Sequence, residues 1–238
     1  PRSTLFPYTT LFRSISKFIA DDIQSRYQIE DDALKIIPRG ADISLFNPED
    51  ASQQAANRLI KEWGVPDDTP VIMLPARLTR WKGHEVLIEA LSLIKDIRFF
   101  CVLVGDHDTK RNYKSELENR IKFQGLTNRV KITGHCKDMV SAYKISDIVI
   151  SASLDPEPFG RITVEAQAMG CVVVAADHGG AQETIQHNLT GILVEPRNSE
   201  ALADGIKKAL EMKTEDRTSM GIAAREFVSS NFSRETMC

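Results

Sequence analysis

Several things this sequence lacks narrow what it can do. Its four cysteines are scattered and form no C-x-x-C pair, so neither a zinc site nor a disulfide framework is encoded. Cys101 and Cys171 fall inside apolar segments and Cys238 is the last residue. That is the pattern of buried, reduced thiols in a cytoplasmic protein. No run of about 18 apolar residues occurs, which excludes a transmembrane helix. The net charge is −3, so no broad basic footprint argues for nucleic acid. Internal repeats and low-complexity runs are missing. So is a G-x-G-x-x-G after the strand near residue 71, which disfavours a dinucleotide oxidoreductase.

What is present begins oddly. Residues 1–14 (PRSTLFPYTTLFRS) lack the charged start and apolar core of a signal peptide. They resemble a translated sequencing adaptor, and are expected to be foreign residues outside the fold, standing where natural sequence has been lost. From Ile15 the spacing predicts a helix over 15–27, a short strand over 34–37 and a polar helix over 47–63. Beyond it strands and helices alternate. Strands are expected at 71–74, 99–105, 130–133, 147–151, 171–175 and 192–194. Helices are expected at 83–95, 111–123, 138–144, 160–170, 181–187, 199–212 and 215–227. Continuous apolar strands in repeated β-α units predict an α/β fold, a doubly wound parallel sheet with helices on both faces. Ligands of such sheets bind at the carboxyl ends of the strands.

The stretch from Asp155 to Gly170 reads D-P-E-P-F-G-R-I-T-V-E-A-Q-A-M-G. Pro156 and Pro158 bar regular structure before Phe159; Gly160 opens a helix that Gly170 closes. Ile162, Glu165, Ala166 and Met169 share one helical face, so Glu165 stands where the pattern asks for an apolar residue. Either the helix is a ragged surface helix, or that carboxylate has partners. Glu157, earlier in the loop, supplies a second carboxylate. The N–H groups of Gly160, Arg161 and Ile162 are free at the helix start, where the dipole favours an anion. Carboxylates nearby accept hydrogen bonds from sugar hydroxyls. This combination suits a sugar nucleotide.

The loop after the strand at 71–74 is P-A-R-L-T-R-W-K-G, with Arg77, Arg80 and Lys82 on the expected binding edge. Arg77 offers a planar fork to phosphate oxygens and Lys82 a point charge; the alternative is a solvated basic loop. Asp106, His107 and Asp108 end the next strand, where a plain turn is preferred to a metal site. A hydrolase reading, with Glu157 and Glu165 as acid and nucleophile, leaves Arg77 and Lys82 without a role.

Glu157 and Glu165, with Phe159-Gly160 between them and A-Q-A-M-G following, resemble the signature of retaining glycosyltransferases of family 4, which have the two-domain GT-B fold. The resemblance implies that Glu157 contacts the donor sugar, that Glu165 holds the ribose, and that Arg77 and Lys82 grip the diphosphate. It adds Phe159, Gly160, Arg161 and Ile162 to the donor-binding set, and His135 where the family sets backbone against the nucleobase. Ala76 stands where Gly is usual, and Arg39 where the interdomain turn usually has Asn. His178-Gly179-Gly180 with Glu183 resembles a structural turn at the rim of the donor site. By this resemblance residues 15–46 are the remnant of an N-terminal domain with its interdomain segment, and 47–238 form the nucleotide-sugar-binding domain. The implied partners are a UDP- or GDP-sugar donor and a carbohydrate or lipid-linked acceptor. The acceptor would be held by the missing domain, which would also carry any peripheral contact with the inner face of the membrane. No metal or other cofactor is expected. Two other readings stay open: an isolated donor-binding module without turnover, and a GT-B epimerase or phosphorylase relative.

Overall fold

The computed structural model describes residues 12–27, 29–106 and 112–237. Along the chain these form β1 (Phe12–Ser14), α1 (Lys17–Tyr27), β2 (Leu34–Ile36), α2 (Gln53–Trp63), β3 (Val71–Pro75), α3 (His84–Leu93), β4 (Phe100–Val104) and α4 (Asn112–Phe123). There follow β5 (Val130–Gly134), α5 (Met139–Lys144), β6 (Ile148–Ser151), α6 (Arg161–Ala168), β7 (Val172–Ala176), α7 (Ala181–Thr184), β8 (Ile192–Val194), α8 (Ser199–Glu211) and α9 (Thr214–Asn231). Expectations placed on residues 1–11, on His107 and Asp108, and on Cys238 lie outside the described residues.

Strands β3 to β8 make one parallel sheet in the order β5-β4-β3-β6-β7-β8. Every residue of β3, β4 and β7 is buried, and alternate residues feed opposite faces. Ile72 and Leu74 join Leu87, Leu117 and Ile206 in one core, beneath α3, α4 and α8. Val71 and Met73 join Trp63, Val164 and Val228 in the other, beneath α2, α6 and α9. A strand covered on both faces has no polar side to show, which is why these runs are continuously apolar. The architecture is the doubly wound α/β sheet that the alternation predicts.

Several boundaries move. Phe12–Ser14, expected to lie outside the fold, pair in parallel with Leu34–Ile36, and Ile37 N–H donates to the Ser14 carbonyl at 2.8 Å. Backbone pairing needs no particular side chains, so a strand this short leaves little trace in sequence. The polar helix starts at Gln53, not Asn47, because Ser52 caps it by accepting from Ala55 N–H. The helix expected over 181–187 is the single turn α7, and Ile185 is already extended. The turn after β2 docks onto the far end of the chain: Ala41 N–H donates to the Phe232 carbonyl at 2.8 Å, and Arg234 pairs with Asp42 at 2.6 Å.

Candidate active site

Chain order reverses in the sheet between β3 and β6, with β4 and β5 on one side and β7 and β8 on the other. In open α/β sheets such a switch point leaves a crevice at the carboxyl ends of the two strands. Here the loop 76–83 leaves β3 and the loop 152–160 leaves β6. Their backbones touch: a Cβ at Gly83 would lie 1.8 Å from the Ala152 carbonyl oxygen, and Leu154 N–H donates to the Trp81 carbonyl at 2.6 Å.

Lys82 and Glu157 join side chains across this crevice, with Nζ 2.7 Å from Oε1. Their side chains are only 13% and 15% exposed, so water screens the pair weakly. The Lys82 ammonium also lies 4.0 Å from the centre of the Trp81 ring, an attractive position over a π-face. Ser153 Oγ donates to the same Glu157 Oε1, and His178 Nε2 lies 3.0 Å from the Ser153 carbonyl. The glycines after β7 hold the carboxylate's own backbone. Gly180 N–H donates to the Glu157 carbonyl at 2.8 Å, and a Cβ at Gly180 would sit 2.2 Å from the Phe159 carbonyl oxygen. One residue type fits there. Two residues past α7's start, Glu183 accepts from the Lys17 and Phe18 N–H groups at 2.8 and 2.7 Å, capping α1.

Beside Glu157 the chain enters α6 through Gly160 in a left-handed conformation, with no side chain capping the helix start. The first N–H groups of α6 thus lie beside Glu157 in the chain without an intrahelical acceptor. Glu165, one turn further, is 13% exposed. Its Oε1 accepts from Arg161 and its Oε2 from the Tyr143 hydroxyl, both at 3.0 Å. The partners that its place on the helix face demands are therefore present.

The three cations of the loop after β3 have separate fates. Arg80 pairs with Glu85 and Glu116 and lies over the Tyr113 ring; it fastens the loop to α3 and α4. Lys82 is committed to Glu157. Arg77 is exposed and has no polar side-chain partner among the described residues, which leaves its fork available to an incoming anion. Beneath this loop His84 is fully buried with neither ring nitrogen in hydrogen-bond geometry. Burial drives its pKa down to about 4, partly opposed by the backbone of Thr79 and Ala76.

Two expected donor residues sit differently. Phe159 turns its ring into the core, 3% exposed and edge-on to Phe232 at 5.6 Å. The ring is an apolar anchor, because the two prolines and Gly180 hold its backbone at the rim while the side chain points inward. His135 is exposed after the edge strand β5, in a 230 Å³ hollow lined by Arg58, Glu62 and Trp63. It makes none of the contacts that join Lys82, Ser153 and Glu157, because β4 stands between its strand and β3. Trp81, Ser153 and Tyr143 escaped the sequence reading. Of these only Ser153, four positions before Glu157, had a spacing that hinted at contact.

A hollow of 600 Å³ lies beside Arg80, Glu85 and Glu116, and two of 510 Å³ each open at the amino ends of the strands, near Val65–Val71 and near Arg217–Arg225. Part of their charge is already paired. Asp147 accepts from Val71 N–H and Arg217, while Arg225 donates to the Ala168 carbonyl.

A doubly wound sheet with an uncapped helix start, paired charges and a guanidinium that has no polar partner among the described residues defines an α/β protein whose switch point can chemically accept an anion. The family description "Glycosyl transferases group 1" matches residues 56–227, and the chain belongs to that family. It is 32% identical to the D-inositol 3-phosphate glycosyltransferase of Corynebacterium glutamicum over 86% of this chain and 50% of the relative. Among solved structures it resembles a glycosyltransferase from Rickettsia africae, at TM-score 0.92 and 38% identity over 94% of this chain and 60% of that one. It also resembles Anabaena Alr3699/HepE in complex with UDP-glucose, at TM-score 0.86 and 31% identity over 96% and 61%. The chain thus spans about half the length of the curated relative. Among the described residues no helix is long and apolar enough to cross a membrane.

Proposed function

We propose that this chain is the donor-binding half of a glycosyltransferase and takes a nucleoside diphosphate sugar at the β3–β6 switch point. The observation that carries this reading is the Lys82–Glu157 pair, closed across the crevice beside the uncapped start of α6 and beside Arg77, which is unpaired among the described residues. Arg77, Lys82 and the N–H groups from Gly160 to Ile162 take the diphosphate. Glu157 accepts hydrogen bonds from the sugar hydroxyls, and Glu165 from the ribose. During transfer the bond from the anomeric carbon to the diphosphate oxygen breaks, and its electron pair leaves with the diphosphate. Preorganised cations and helix N–H groups stabilise the charge that builds there. The family resemblance adds retention of the anomeric configuration, with no metal. A donor's phosphates must compete with Glu157 for Lys82, so the closed pair opens as the diphosphate enters. The UDP-glucose complex of HepE supports a nucleotide-sugar donor. The carbohydrate or lipid-linked acceptor and any peripheral membrane contact are assigned to the part of the relatives that this chain does not span. Alone, the chain binds donor and transfers nothing.

Ligand-observed NMR with UDP, GDP and a panel of their sugars tests this reading. Arg77→Ala is the cleaner control, because the Arg77 side chain is exposed and has no polar partner among the described residues; Lys82→Ala is the second. Selective binding that both variants lose is the expected result. A folded chain that binds none of the panel, or binds unchanged in both variants, overturns it.

A further inference from the structure

The two tethers of Glu165 are unequal. Arg161 reaches it along the same helix from a side chain that is 66% exposed. Such i,i+4 pairs are solvent-screened and hold a carboxylate loosely. Tyr143 reaches it from another helix, α5, and is 1% exposed. Its ring is fixed edge-on against Phe46 at 5.9 Å, and its backbone carbonyl accepts from Cys171 Sγ. The helix that carries it is pinned at both ends: Asp138 caps its start through Ser141 N–H, and Lys144 at its last turn donates to the Pro48 carbonyl.

A phenol has one proton to give, and a carboxylate only accepts. The Tyr143 hydroxyl therefore fixes one Glu165 oxygen by a single directed bond from a rigid donor. A glutamate side chain free to rotate pays rotamer entropy each time it is ordered by a ligand. One already held at Oε2 presents its remaining lone pairs in a set direction. Burial, and then the neighbouring Glu165 charge, push the Tyr143 phenol well above its ordinary range. The proton stays on the phenol, and the bond keeps its sense.

We propose that Tyr143 is a positioning residue that holds the Glu165 carboxylate in the direction needed to accept the ribose hydroxyls of the donor, and so sets preference for ribonucleotides over deoxyribonucleotides. This rests on the reading of Glu165 as the ribose acceptor. Tyr143 itself touches no ligand.

The test measures dissociation constants of UDP and GDP against their 2′,3′-dideoxy analogues, by calorimetry on the full chain, for wild type, Glu165→Ala and Tyr143→Phe. Tyr143→Phe keeps the ring and removes only the hydroxyl. The expected result is a ribonucleotide affinity weakened by up to about tenfold, the scale of one charge-assisted hydrogen bond, with dideoxynucleotide affinity unchanged. Equal weakening of both ligands, or no change in either, overturns the proposal. Glu165→Ala separates the two readings. If it leaves the ribose preference intact, the assignment of Glu165 fails. If it abolishes the preference while Tyr143→Phe keeps it, only Tyr143 fails. A second measurement needs no variant that might unfold. With 3-fluorotyrosine incorporated, the fluorine signal of Tyr143 should shift on ribonucleotide binding and stay still with the dideoxy analogue. An equal shift with both ligands overturns the proposal.

Discussion

Glu157 and Glu165 stand eight positions apart and look alike in inventory: each carboxylate holds one hydroxyl and one cation, and each is 13–15% exposed. Their wiring differs. The cation on Glu157 comes from the other side of the switch point, 75 positions away, while the cation on Glu165 comes from its own helix. Glu157 is a joint between the two halves of the sheet, and Glu165 is a fixture mounted on one of them. The contrast teaches that removing Glu157 unties the two sides of the crevice, whereas removing Glu165 leaves that crossing intact and orphans only the buried Tyr143 hydroxyl and an exposed arginine. A nearly buried charge left without its partner costs far more than a screened pair ever contributed.

The sharpest way to break the comparison uses two glycines with left-handed backbones. Gly83, with φ +73°, would drive a Cβ to 1.8 Å from the Ala152 carbonyl oxygen, whereas Gly170, at the end of the Glu165 helix with φ +74°, has nothing within 4 Å. Gly83→Ala should therefore cost about 3 kcal/mol or more in urea unfolding, and Gly170→Ala about 1 kcal/mol, from backbone strain alone. Equal costs would mean that the two loops are not locked together.

Acid should act first on the Glu157 side. His84 lies under the loop that carries Lys82, and its pKa falls from 6.5 to about 4 on folding. The unfolded chain binds that proton more readily. Stability is therefore full above pH 6.5, falls as pH drops, and levels off below about pH 4. The loss should reach up to about 3 kcal/mol at one pKa unit per 1.36 kcal/mol, and His84→Gln should flatten that limb of the unfolding profile.

Removing single partners should show the same asymmetry at smaller scale. Lys82→Ala leaves Glu157 nearly buried with only Ser153 and should cost about 2 kcal/mol in thermal unfolding. Arg161→Ala should cost less than about 0.5 kcal/mol, as exposed i,i+4 pairs do. The replacement Lys82→Met with Glu157→Gln should recover part of the first loss. A cost for Arg161→Ala as large as that for Lys82→Ala would erase the distinction between joint and fixture.

Much of this was legible in the sequence, and the exceptions have physical reasons. The runs at Val71, Phe100 and Val172 were readable as strands because burial on both faces leaves a continuous apolar signature. The start of α6 was readable because Pro156, Pro158 and Gly160 act locally. Arg77 and Lys82 could be set apart from Arg80 only by resemblance. Arg80's partners Glu116 and Tyr113 come from α4, which no spacing within the loop reveals. Phe159 shows a similar limit: an aromatic beside a glycine in a functional loop gives no sign of whether its ring turns toward ligand or core, and here the ring turns to the core.

By itself the sequence determined the parallel α/β architecture and the chemical types gathered at the carboxyl edge, because periodicity, proline, glycine and charge act over a few residues. Tertiary structure alone decided which charge meets which. The meeting of Lys82 with Glu157 follows from β6 lying beside β3, and the bond from Tyr143 to Glu165 follows from α5 and α6 sharing one face of the sheet. Adjacency of that kind is fixed by the order of strands in the sheet, a property of the whole packed chain that no local spacing encodes.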